Sequence, residues 1–311
     1  MKYIRLIVPL AIVFLTVIFL GGCKKNDNPT SPTNTTQTAV NTTATQDVAY
    51  SVAANVAVDN SGTLDEMSDV LKSASVEGIV NDDIEGMMNF GHSHSTVTKQ
   101  YDSTTGWWTI TVTRIRGTIT GKYYTDIERV YQQQYLDKNG QFQKLYIQPS
   151  GTTNDTAYTI NFRIVSGTGV LITPHDSHQL TGLSGAWTVT NANTRTVTLN
   201  TTSPYVRSVA DTVMRGGAVR TLNGTLTLNF VNITGPRGSG LNWHRKFSGT
   251  ITGTYHAVVT FSKGGTYTES TIDRTIDITL GGQTIPIRIK GLHGDEGTVF
   301  NLDTETGDIS Q

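Results

Sequence analysis

The chain divides by the spacing of its apolar residues. Leu6 to Phe19 is an almost unbroken apolar run, preceded by Lys2 and Arg5 and followed by Leu20-Gly21-Gly22-Cys23. From Lys24 to about Thr45 apolar residues nearly vanish, and Pro29-Thr30-Ser31-Pro32-Thr33 sits in the middle. Such a stretch cannot bury enough surface to order itself, which predicts a flexible tether. From Gln46 to about Phe90 the period becomes helical. Val48, Val52 and Val56 recur every fourth residue beside Ala49 and Ala53. After a break at Asp59-Asn60-Ser61-Gly62, Leu64, Met67, Leu71 and Ala74 line one side of a second helix, and Thr63 with Glu66 reads as a capping box. Helices this short are marginal alone and are expected to pack on the sheet that follows.

From Ser95 onward the period is two. Trp108, Ile110 and Val112 alternate with Thr109, Thr111 and Thr113, after a turn at Asp102 to Gly106. Tyr123 to Leu136 runs into Asp137-Lys138-Asn139-Gly140, an Asn-Gly reversal, with Phe142, Leu145 and Ile147 on the return. Ala157 to Ile172, Trp187 to Thr190 and Thr196 to Thr201 continue the meander. Leu226, Leu228 and Phe230 follow, then the connector Gly235 to Gly240, then Ile251, Tyr255, Ala257, Val259 and Phe261 as inward positions. Ile276, Ile278 and Leu280 pass through Gly281-Gly282-Gln283 to Ile285, Ile287 and Ile289, and the acidic tail from Asp303 is predicted to fray. The prediction is a mainly β protein: a large curved antiparallel sheet or incomplete barrel, built as a meander, with two short N-terminal helices on its concave side. The expected boundaries are 1–22 signal peptide, 23–45 tether, 46–90 helical segment and 91–311 β domain. An echo, Gly117-Thr118-Ile119-Thr120-Gly121 and Gly249-Thr250-Ile251-Thr252-Gly253, reads equally well as a duplication or as a recurrent strand idiom with a bending glycine.

Composition changes this picture in two places. Charged residues make up only 16% of the 311 residues, against about 25% in an ordinary domain. Threonine takes solvent-facing positions that Lys and Glu would hold, as on long strands with one wet face. A formal net charge of -1, with no basic run interleaved with aromatics, gives no footprint for nucleic acid. The single cysteine is Cys23, so a body that begins there has no disulfide, zinc-thiolate site or cysteine nucleophile.

A charged start, an apolar core too short for a comfortable span, two small residues and a cysteine agree in order. The segment Leu20-Gly21-Gly22-Cys23 resembles the lipobox of bacterial lipoproteins. That resemblance implies cleavage before Cys23, palmitate-type acylation of Cys23, and attachment to the bacterial cell envelope, with the outer membrane, at its periplasmic face or the cell surface, as the expected site. The alternative is a transmembrane anchor with an incidental cysteine. Several acyl chains hold almost permanently where one holds marginally. The rest of the chain resembles, more loosely, uncharacterised β-rich lipoproteins of Gram-negative bacteria, through Tyr101-Asp102-Ser103-Thr104-Thr105-Gly106-Trp107-Trp108 and Asn232-Ile233-Thr234-Gly235-Pro236-Arg237. That group implies a location and no activity.

Candidate chemistry is sparse. His92 and His94 share a face if extended, and His175 and His178 lie nearby in sequence, yet no spacing fixes a third ligand, so no metal and no cofactor is expected. Gly182-Leu183-Ser184-Gly185-Ala186 lacks the closing glycine of a nucleophile elbow. The paired carboxylates Asp82-Asp83 and Asp295-Glu296 read as solvated neighbours. Trp107, Trp108 and Trp243 are the candidate ligand-binding residues, because an exposed indole stacks on a sugar or anchors a partner. The resulting expectation is a non-enzymatic binding or structural module on the membrane, contacting an envelope polymer, glycan or lipid. The alternatives are a half-barrel carrier of a hydrophobic ligand, with the helices as lid, and an envelope hydrolase with an unrecognised site.

Overall fold

The alternation resolves into strands longer than their sequence signals. In a computed structural model the described residues are 35–75, 79, 93–118, 124–150, 153–172, 176–215, 217–237, 243–291 and 296–311. The leader, Cys23 and residues 80–92 lie outside them. Two units are distinguished, Met1–Val40 and Asn41–Gln311. Of the first, only Thr35–Val40 is described, as helical backbone.

The second unit contains the rest of helix α1 (Thr35–Val56), helix α2 (Thr63–Lys72) and strands β1 (Ser93–Asp102), β2 (Trp107–Gly117), β3 (Tyr124–Leu136), β4 (Phe142–Gln143), β5 (Ile147–Ser150), β6 (Thr153–Thr156), β7 (Thr159–Ile172) and β8 (Asp176–Thr190). It continues with β9 (Thr196–Arg215), β10 (Ala218–Pro236), a 3-10 turn (Trp243–Lys246), β11 (Ser248–Lys263), β12 (Thr266–Leu280), β13 (Thr284–Gly291), β14 (Thr298–Asp303) and β15 (Ile309–Ser310). One antiparallel sheet runs β1-β2-β3-β7-β8-β9-β10-β11-β12-β13-β14-β15, with β4 paired to β3 and β5-β6 as a separate ribbon. It is a meander whose first and last strands remain edges.

Register breaks between Leu180 and Gly182, and again between Leu228 and Ile233, bend the long strands. Bulged strands turn and twist more sharply than regular ones, which gives so long a sheet its concave face. Asn232, at φ +50°, lies within the β10 break.

Both helices fill the concavity. The predicted faces are right: Val48, Val52, Val56, Leu64, Met67, Leu71 and Ala74 are all buried. However, α2 is buried on every side from Thr63 to Leu71, including its acidic residues. Across the sheet, Trp187 packs against Tyr205, Phe230 and Phe162 with ring centroids 5.7, 5.6 and 6.1 Å away, forming an aromatic band under the helices.

Several expectations are corrected. The stretch expected to be tether up to residue 45 is helical from Thr35. Gly62 is the N-cap residue of α2 and no side chain caps it; Thr63 Oγ1 donates to the Asn55 carbonyl and Glu66 turns into the interior. Gly235 and Pro236 are strand, opposite Val197 and Thr196, since a proline at a strand end needs no ladder donor. Leu145, expected on the return strand with Phe142 and Ile147, lies in the bend between β4 and β5. The tail is held: Asp303 accepts from the backbone N–H groups of Glu305 and Thr306, and Leu302 pairs with Ile309. The two echo segments differ, since Gly117 ends β2 whereas Gly249 to Gly253 lies within β11.

Candidate functional site

Where a strand brings a charged residue round to its inner face, the residue must find a partner or lose its charge. Strands β2, β3 and β9 each do this. Arg114 and Arg116 continue the inward series of Ile110 and Val112, Arg129 stands between Ile127 and Tyr131, and Arg207 between Tyr205 and Val209. Helix α2 answers with Asp65, Glu66 and Asp69. Arg114 reaches Asp65 at 2.9 Å and also pairs with Asp69; Arg129 reaches Asp65 at 2.8 Å and Glu66 at 3.1 Å; Arg207 reaches Glu66 at 2.9 Å. Tyr131 donates to Asp69 at 2.9 Å, and the Ser61 carbonyl, just before the helix, accepts from Arg129 and Arg207.

The carboxylates respond differently. Glu66 is pushed up by burial, against the pull of Arg129 and Arg207. Asp65 is buried too, but the guanidinium groups of Arg114, Arg129 and Arg116 together outweigh that burial and hold it well below the usual carboxylate range. Every oxygen aimed at a guanidinium is committed to docking the helix. The network therefore ties α2 to the sheet through Asp65, Glu66 and Asp69.

Asp59, at the bend before α2, has its carboxyl pushed up to about 6 from 3.8 by burial, partly offset by Arg116. Its raised folded value means that the native state holds an extra proton between the two values. Stability should therefore be largest below about pH 4 as far as this group is concerned, and fall as pH rises to about 6. Asp59→Asn is expected to remove that decline and to raise the melting temperature at pH 7. Thermal unfolding of both proteins across pH 4 to 7 checks it, and parallel curves would refute it.

A second buried group joins α1 to the sheet. Ser51 donates to Asp211, Asp211 pairs with His178 Nδ1 at 2.5 Å, and Tyr255 lies 2.9 Å from Ser51. Ser51, His178 and Asp211 are 3%, 3% and 5% exposed. The residue types are those of a hydrolase triad in another order: the Asp211 carboxylate sits between serine and histidine, so the imidazole does not face the hydroxyl.

His94 is exposed on β1 and His178 is buried on β8, with β2, β3 and β7 between them. At about 4.8 Å per strand they stand about 19 Å apart, too far to share a metal. Among the described residues no three His, Cys, Asp or Glu side chains gather as metal ligands. His92 and His175 lie outside the described residues.

The tryptophans split as adjacent strand residues must. Trp108 turns toward the core and donates from Nε1 to the Lys144 carbonyl at 2.8 Å. Trp107 faces outward beneath the Arg163 guanidinium, 4.5 Å from its ring centre. Beside it runs a row of polar side chains: Arg163 donates to Gln132 at 2.7 Å, Asn161 to Gln134 at 3.2 Å, and Gln134 to the Thr105 carbonyl at 2.8 Å. Trp243 begins the 3-10 turn, and its side chain lies outside the described residues.

Comparison with known proteins adds nothing to this geometry: no family model, no curated protein and no solved structure matches the chain.

Proposed function

We propose that this chain is a bacterial envelope lipoprotein, acylated at Cys23 after loss of residues 1–22, and that its body is a non-enzymatic binding module carried on the membrane. The observation that carries the reading of the body is the occupied concavity. Helix α2 fills the inner face through Asp65, Glu66 and Asp69, where a carrier would need an open apolar cavity. A half-barrel carrier of a hydrophobic ligand is disfavoured further because that face carries Arg114, Arg116, Arg129 and Arg207. A hydrolase is disfavoured by the Ser51–Asp211–His178 order. Recognition then falls to the outer surface, where Trp107 and its neighbouring amides combine a stacking ring with hydrogen-bonding groups, the chemistry that suits an envelope glycan.

Two measurements test the reading separately. Radiolabelled palmitate should enter the wild type and fail to enter Cys23→Ala. Purified protein should sediment with isolated cell-wall glycan, and Trp107→Ala should weaken that binding several-fold with the fold intact by circular dichroism. Equal labelling of both proteins would end the anchor; absent or unchanged glycan binding would end the ligand assignment.

A further inference from the structure

On the outer face beside Trp107 stands an arginine held in place by two contacts. Arg163 is exposed on β7, between Phe162 and Ile164, which point inward. Its Nε donates to Gln132 Oε1 at 2.7 Å, and its guanidinium lies over the Trp107 ring, 4.5 Å from the centre. Two contacts on one planar group restrict the rotation that an ordinary surface arginine keeps. Nη1 and Nη2 remain, and among the described residues neither meets a protein acceptor. Arg220 makes the contrast: it stacks over Phe261 at 4.9 Å and carries Asp47 at 2.8 Å as its counter-ion. Around Arg163 the register places Thr109 and Gln132 on one side and Ala186 on the other, so its own row holds no carboxylate.

The neighbouring row is a ladder of amides. Gln134, Asn161 and Thr188 oppose one another across β3, β7 and β8, and successive strands stand about 4.8 Å apart. Thr188 donates to Asn161 Oδ1 at 3.4 Å, Asn161 to Gln134 Oε1 at 3.2 Å, and Gln134 to the Thr105 carbonyl at 2.8 Å. A carboxamide has two N–H donors and two lone pairs on its oxygen. Each amide here is therefore oriented by its neighbours and keeps one donor and one lone pair to offer, a pairing that suits sugar hydroxyls. The row lies inside the sheet, where backbone groups are taken by the strands on either side, so an extended peptide cannot add to it as a strand.

We infer that the ligand of this face is an acidic glycan, with sugar hydroxyls on Gln134 and Asn161 and a sugar carboxylate on Nη1 and Nη2 of Arg163. This deepens the glycan reading above and rests on it. The two parallel N–H bonds of a guanidinium match the two oxygens of a carboxylate, a geometry that an ammonium group does not reproduce. The positive charge of Arg163 has no acid of its own to meet, so it complements a charge brought by the ligand. Trp107 contributes through the same contact, because its ring holds the guanidinium flat.

The test uses the full-length protein and isolated cell-wall glycan, freed of peptide by an amidase and coupled to beads. Half of the beads have their sugar carboxyls converted to methylamides, which removes the charge and leaves the hydroxyls. Wild type should bind the acid form several-fold more tightly than the amide form, and the difference should shrink as salt rises. Arg163→Gln should lose several-fold on the acid form and far less on the amide form, and Arg163→Lys should recover only part of the loss. Variants are compared once circular dichroism shows the wild-type fold. Equal binding of wild type to both forms, or equal losses by Arg163→Gln on both, would overturn the carboxylate contact and leave the glycan reading standing. Binding that vanishes when the peptide is removed would assign the face to a peptide and overturn both. Binding to neither form, nor to undigested wall, would also overturn both.

Discussion

Arg129→Met is expected to destabilise the body by about 3–5 kcal/mol, the cost of breaking a buried ion pair from one side. Arg129 is 1% exposed and faces Asp65, Glu66 and the carbonyl of Ser61. Methionine matches much of the buried volume, so the loss is electrostatic: Asp65 is left short of a counter-charge in a place water does not reach. The effect should depend on which carboxylate is then removed. Glu66 is pushed up by burial, yet it is the carboxylate that Arg207 shares with Arg129, so Glu66→Gln should still be costly because it leaves buried Arg207 without a counter-charge, and it should cost less on the Arg129→Met background. Asp65 is held ionised by Arg114, Arg129 and Arg116, so Asp65→Asn, which takes a partner from three guanidinium groups, should cost more than Glu66→Gln. The sign with pH follows. Asp65 has a depressed folded value, so its contribution is present above the ordinary carboxylate range and is lost only as pH falls toward strong acid. Urea unfolding of the four variants at pH 7 reads all of this. Losses below about 1 kcal/mol for all four variants would mean that the helix is docked by its apolar residues and that the charges are incidental.

That network was half legible in the sequence. The inward series Ile110-Val112 extends in phase to Arg114 and Arg116, and Tyr131 in phase back to Arg129. A charged residue in register with a buried face is a visible signal for a buried pair. What hid the partners is that helix periodicity marks an apolar stripe, and Asp65, Glu66 and Asp69 lie off the stripe of Leu64, Met67 and Leu71. On a helix with one wet face those residues would be solvated. Only the wrapping of α2 by the sheet buries them, and wrapping is a property of the whole meander.

The strands themselves were legible where alternation was strict and invisible where glycine or proline interrupted it. Strand β9 runs through Pro204, and β10 through Gly224, Gly235 and Pro236. Locally each is a break signal, but Pro204, Gly235 and Pro236 fall where the ladder is irregular or ends, and Gly224 is carried in regular register between Val209 and Ala257. The tail from Asp303 was misjudged for a related reason. Its acidic residues suggested solvation, whereas the Asp303 carboxylate closes a turn, Thr304 is buried, and the Thr304 carbonyl accepts from the Val58 N–H.

Gly253→Ala is expected to cost about 3 kcal/mol or more, at the upper end of what one inserted methyl costs a packed interior. A Cβ added at Gly253 would lie 2.0 Å from the carbonyl oxygen of Thr227 on β10 and 2.8 Å from the Leu228 side chain. A carbonyl of a neighbouring strand cannot swing aside as a long side chain can, so β10 and β11 would have to separate locally. The position is sensitive because Leu228, opposite Gly253, is the last residue before the β9–β10 register break, where β10 closes on β11. This is the bending glycine of the sequence echo, and its role is close approach; Gly249 differs, at φ +136°. A control separates this from backbone strain: Gly140 has φ +78° with nothing within 4 Å of an added Cβ. Gly140→Ala should therefore cost only the left-handed penalty of about 1–2 kcal/mol. Urea midpoints for the two variants give the comparison. If Gly253→Ala unfolds at the wild-type midpoint, the approach of Thr227 is not what sets the curvature, and the concavity that receives α2 must be shaped elsewhere along the bulged strands.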